Sequence, residues 1–266
     1  MTTAPALSAF SSELRRWRTL RRVSQLELAI RANTTQRYLS YLEQGRSRPG
    51  RELVVRLAES LDLSLRERNA LLLAAGYTPA FTELALDAPE LAPLREALRI
   101  VLDGHLPYPA LIVDGYGTLI EHNAAFDIIL EGCAPELLVP PVNVHRLALH
   151  PDGVAKRVMN LPEWGGHILE AIRSRARISP DPGLDALIAE LETYLQPTEL
   201  DAGLHGFAIP LRLHTDDGEL CLITTLTAFA SSTDVSLSEL RLKALLPADT
   251  ATADLLRRRD QRVPAR

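Results

Sequence analysis

Seven histidines, all beyond residue 100 of the 266-residue chain, are the first candidates for chemistry: His105, His122, His145, His150, His167, His205 and His214. His145, His150 and His167, with Glu163 nearby, come nearest to a metal set. Neither H-E-x-x-H nor H-x-H occurs, so metallopeptidase and cupin-like sites do not fit. A serine–lysine pair for self-cleavage fares no better. No serine lies between Ser64 and Lys156, and Lys243 follows Ser231, Ser232, Ser236 and Ser238 too closely, leaving only Ser174 and Ser179 at long spacing. Cys133 and Cys221 lie far apart without C-x-x-C spacing and read as small buried hydrophobes. We therefore assign no catalytic residue, metal or cofactor, and read the chain as something other than an enzyme. The chemistry that remains is recognition. Gln36, Arg37, Ser40 and Tyr41 present amide, guanidinium, hydroxyl and phenol groups at one-turn spacing, the groups that hydrogen-bond base edges.

Two short helices must position them. Ser24 is an N-cap, with Glu27 three residues on as in a capping box. Leu28 and Ala29 give that helix its apolar face, and Asn33 suits a left-handed turn. Thr35 caps the second helix, whose inner face is Leu39 and Leu42 and whose end is Gly45. Two helices around so short a turn, the second carrying the polar row, make a DNA-reading helix-turn-helix. Gln36 suits adenine and Arg37 guanine, while Gln25, Thr35, Gln44 and Arg46 are placed for phosphates. A helix from about Phe10 to Arg22 precedes the pair, and Leu53, Leu57 and Leu61, then Leu65–Ala75, mark two that follow.

Residues 10–77 resemble an XRE-type, phage-repressor-like helix-turn-helix domain through Ser24-Gln25, Leu28-Ala29, Thr34-Thr35-Gln36 and Leu42-Glu43-Gln44-Gly45-Arg46. Asn33 stands where that family usually has glycine. The resemblance implies that Arg18 pairs with Glu43, and that the loop Arg46–Pro49 runs along the DNA backbone. One such reader contacts too few base pairs alone, so a homodimer on a two-fold operator in double-stranded DNA is expected.

Charge supports that division of labour. Residues 1–77 hold 13 arginines against 7 acids, while residues 78–266 hold 16 basic residues against 27 acids. The net charge of −5 thus hides a basic reader joined to an acidic partner domain. Apolar residues make up 46% of the chain without a run long enough to span a bilayer, and no apolar signal region opens it. The expected location is the cytoplasm, with no membrane contact.

Residues 78–106 read as a helical linker punctuated by Pro79, Pro89 and Pro93. From residue 107 the pattern is a hairpin (Ala110–Val113, Thr118–His122), several helices, then strands over Phe207–Leu213, Glu219–Phe229 and Val235–Leu246. Pro210 cannot donate to a ladder, which places its strand at a sheet edge. The fold expected is α+β: an N-terminal all-α five-helix domain, then a PAS-like domain with a five-stranded antiparallel sheet and helices. Residues 107–258 resemble the ligand-binding domain of MmyB-like transcription regulators. The phrases that carry this are Pro107-Tyr108-Pro109-Ala110-Leu111, His122-Asn123-Ala124-Ala125, Pro141–Leu147, Leu149–Gly153, Asn160–Trp164 and Asp234–Arg241. The resemblance implies a small apolar effector, with a fatty acid as the best precedent. The residues suggest a pocket with a carboxylate at His145 or Arg146 and a chain against Leu147, Trp164 and Phe207, beside Asn143. The other reading makes Arg146 a surface ion pair and Trp164 plain core. Rival functions are a hydrolase fused to a DNA reader, which lacks its nucleophile–base pair, and an antitoxin-like module whose acidic half binds a partner protein.

Overall fold

The computed structural model describes residues 4–86, 88–195, 209–229 and 234–262. The described chain divides into two compact units. The first opens with five helices: α1 (Ala4–Leu20), α2 (Gln25–Arg31), α3 (Gln36–Glu43), α4 (Arg51–Ser60) and α5 (Leu65–Ala74). Their spacing of leucines produces one core, with Phe10, Leu14, Leu28, Leu39, Leu42, Leu57 and Leu71 almost wholly buried. The caps lie where the polar residues indicated: Ser24 Oγ accepts from the Glu27 amide and Thr35 Oγ1 from the Tyr38 amide. Glu27 does not reach back to close a box at Ser24; its carboxylate goes one turn forward to Arg31. The reciprocal box forms instead between Ser64 and Glu67 on α5. Asn33, at φ 52°, and Gly45, at φ 69°, take the left-handed conformations that end α2's turn and α3.

After α5 the chain is tied down by Asn69, whose side chain donates to the Phe81 carbonyl and accepts from the Ala80 and Phe81 amides. The same unit includes residues 234–238. This is a correction, since Val235–Leu246 reads as one strand by alternation. Asp234 is buried, and its carboxylate accepts from the Leu237 amide three residues on and from the Leu84 amide. That cap turns Val235-Ser236-Leu237-Ser238-Glu239 into a short helix (α11, Val235–Glu239), because a local side-chain bond outcompetes the ladder.

The second unit begins with α6 (Ala92–Asp103), then β1 (Ala110–Val113), β2 (Leu119–His122), α7 (Asp127–Leu130), α8 (Val144–Leu149), α9 (Leu161–Ile178) and α10 (Pro182–Glu192). It ends with β3 (Leu211–Thr215), β4 (Gly218–Ala228), β5 (Arg241–Pro247) and α12 (Thr250–Asp260). The five strands form one antiparallel sheet in the order β2-β1-β5-β4-β3. β1, all four residues buried, lies inside the sheet, whereas β3 forms an edge directly after Pro210. The strand read over 207–213 is thus described from Leu211; Phe207 lies outside the described residues. Asn123 is the knot of this unit. It is 2% exposed, donates to the Leu102 and Tyr108 carbonyls, and accepts from the Ala110 amide. No helix of the described residues is long and apolar enough to cross a membrane.

Candidate DNA-reading surface and effector cavity

In the first unit, α3 buries Leu39 and Leu42 and so turns Gln36 and Arg37 outward, with Ser40 and Tyr41 half-buried beside them. Arg37 Nε donates to the Tyr41 hydroxyl at 3.1 Å, and its guanidinium lies over that ring. The pair presents one combined donor surface. Gln44 Nε2 donates to Ser40 Oγ at 2.9 Å, Thr35 Oγ1 is used as the α3 cap, and Arg46 is exposed just past the helix. Gln25 is oriented differently from a free phosphate ligand: its amide donates to Glu43 Oε2 at 2.8 Å. The same carboxylate receives Arg18 Nε at 2.6 Å and Nη2 at 3.0 Å. Glu43 is nearly buried, and the hydrogen bond to its carboxylate raises the Arg18 pKa. This fork ties α1 and the N-terminus of α2 to the end of α3, fixing the pose of the polar row.

The second unit contains an apolar cavity of about 320 Å³ between the sheet's inner face and α8 and α9. Its floor is buried leucine and phenylalanine, including Leu111, Phe126, Leu147, Leu211 and Leu245, with Trp164 forming a wall. Thr224 and Leu226 of β4 and His167 and Ala171 of α9 supply its exposed rim. No serine lines it. Of the residues proposed from sequence, His145, Leu147 and Trp164 line this cavity. Asn143 and Arg146 do not. Asn143 caps α8, accepting from the His145 and Arg146 amides and donating to the Tyr116 carbonyl. Arg146, one residue on from His145 and so about 100° around the helix, forms a forked pair with Glu190 of α10 at 2.5 and 2.7 Å. That pairing holds the Glu190 carboxyl down to about 2. Arg146 is the surface ion pair of the alternative reading.

The cation that sequence reasoning missed is Lys243. It lies on β5 between Leu111 of β1 and Leu226 of β4 in register, all three facing the cavity. Among the described residues no acid or hydrogen-bond acceptor pairs with its amine. Burial, and then the nearby Arg175 guanidinium, push its pKa down to about 8. Burial first, then Lys243 and Arg175, push His145 down to about 3, so its imidazole is neutral. The sign of the histidine effect is testable. A folded-state pKa below the unfolded value means the unfolded chain takes up the proton first as pH falls. Stability present above the ordinary 6.5 is therefore lost between there and about pH 3, at up to about 1.4 kcal/mol per pH unit. Urea unfolding at pH 7 and pH 5 should show a smaller acid loss for His145→Gln than for wild type.

Two family models match the chain. A helix-turn-helix domain matches residues 9–71, and the MmyB-like transcription regulator ligand binding domain matches residues 94–258. A helix-turn-helix joined to a ligand-binding domain defines a DNA-binding transcription regulator. The second match spans more than half the chain, and the chain belongs to the MmyB-like transcription regulator family. Among solved structures, one crystal structure of the clp gene regulator ClgR from Corynebacterium glutamicum is 32% identical, covering 27% of this chain and 91% of that one, with a TM-score of 0.24. A second ClgR structure is 26% identical over 38% of this chain and 95% of that one, with a TM-score of 0.24. An RNA-binding light-oxygen-voltage receptor is 14% identical over 96% of this chain and 64% of that one, with a TM-score of 0.26. No curated protein matches the chain.

Proposed function

We propose that this regulator binds a two-fold DNA operator as a homodimer in the cytoplasm, without catalysis. Its effector is a medium-chain fatty acid or a molecule of that shape, held in the second unit. The observation that carries the effector reading is the 320 Å³ apolar cavity with a cation on its wall that has no partner among the described residues. At about 30 Å³ per heavy atom, taking liquid water as the yardstick, it has room for roughly ten such atoms. Each methylene moved from water into it contributes roughly 0.8 kcal/mol, offsetting the cost of ordering the chain. Protonated Lys243 supplies the counter-charge for a carboxylate. A ligand acts on transcription only through differential affinity for two states of the protein.

The DNA half of this reading has its own test. Arg37→Ala should cost about 1–3 kcal/mol on the preferred duplex and relax base choice at one position per half-site, whereas Arg46→Ala should weaken specific and random duplexes alike. Equal losses on both kinds of duplex for Arg37→Ala would move the reading face elsewhere.

A further inference from the structure

The chain carries 29 basic side chains, of which only Lys156 and Lys243 are lysines. For a carboxylate alone, a guanidinium would be the better holder, since its planar fork makes two parallel bonds and it hydrates weakly. A chain this rich in arginine nevertheless has an amine on the cavity wall. An amine differs from a guanidinium in one further property: it can lose its proton and act as a nucleophile.

We propose that Lys243 makes the cavity a receptor for aliphatic aldehydes, which it captures reversibly as an imine. The inference rests on the cavity being the effector site, as read above, and adds a second ligand class to it. The geometry supplies what such a lysine requires. Its neighbours across the sheet on both sides are Leu111 and Leu226, so the alkyl chain lies along the wall that carries the amine. No acid among the described residues holds the ammonium form in place, and Arg175 opposes it. These are the two conditions, an apolar pocket and a neighbouring cation, that activate lysine nucleophiles elsewhere. With its proton held only to about pH 8 rather than the ordinary 10.5, the amine is free roughly three hundredfold more often near neutrality than an unperturbed lysine.

The step balances without an oxidant or reductant. The amine lone pair attacks the carbonyl carbon, forming the C–N bond as the C=O π pair moves to oxygen. A proton passes from nitrogen to that oxygen. The nitrogen lone pair then expels the hydroxyl, which leaves as water with one further proton, and the C=N bond forms. Water reverses each step, so the aldehyde is released intact.

The test uses the full chain, decanal as the probe and cyanoborohydride to trap the imine, followed by peptide mass mapping. The expected product is a secondary amine at Lys243, heavier by the mass of decanal less one oxygen atom. It should exceed labelling at Lys156 by about tenfold or more, because the cavity holds the alkyl chain beside Lys243, and be suppressed by excess decanoic acid. Lys243→Arg should abolish the adduct, because a guanidinium keeps its proton and offers no free amine. Labelling spread equally over Lys156 and the N-terminus, or no adduct while decanoic acid still raises the unfolding temperature, would overturn the imine and leave the cavity reading standing. No adduct and no response to the acid would overturn both.

Discussion

Replacing Arg18 with alanine is expected to destabilise the first unit by about 3–5 kcal/mol, the range for removing one partner of a buried pair. Glu43 side-chain exposure is only 3%, and Arg18 supplies two of the three hydrogen bonds described for its carboxylate, the third coming from Gln25. Truncation leaves a charge that neither solvent nor the Gln25 amide can compensate. The effect should extend to DNA, because the fork fixes α3 against α1. Chemical denaturation of the wild type and Arg18→Ala measures the first effect, and duplex titration the second. A loss under 1 kcal/mol, typical of exposed pairs, would mean that the carboxylate finds water instead.

Trp164→Ala is the second large effect. Trp164 is 8% exposed, packs in the second unit's core and forms one wall of the cavity. Large-to-small changes of this kind cost about 3–5 kcal/mol. The lower end applies, because one side of the indole already borders space rather than packed atoms. The enlarged cavity has less wall for an acyl chain, so affinity for medium-chain acids should fall as stability falls. Calorimetric titration of decanoic acid against both proteins checks this. Unchanged affinity would remove Trp164 from the binding wall.

Much of this was legible because it is local. Caps such as Thr35, the left-handed Asn33, and leucines at helical spacing are set by neighbours a few residues away, and the reader forms accordingly. The edge position of β3 followed from Pro210, a single missing donor. The failures have the opposite character. Alternation through Val235–Glu239 imitates a strand, and only the burial of Asp234 reveals a helix cap. Reading one strand through residues 235–246 also hid which face Lys243 occupies. His145 and Arg146 both looked able to hold a carboxylate. A helix sends adjacent residues in different directions, and the partner of Arg146, Glu190, is 44 residues away on another helix. Long-range pairing of that kind leaves no mark on the local pattern.

In the proposed function, occupancy of the cavity alters DNA binding. This is tested most directly by the affinity of the full chain for the duplex it selects from a random pool, with and without saturating decanoic acid. A shift in that affinity of about tenfold is expected, equivalent to about 1.4 kcal/mol of coupling, and it should be lost in Trp164→Ala. Identical affinities in the two conditions, with calorimetry showing the acid bound, would contradict it.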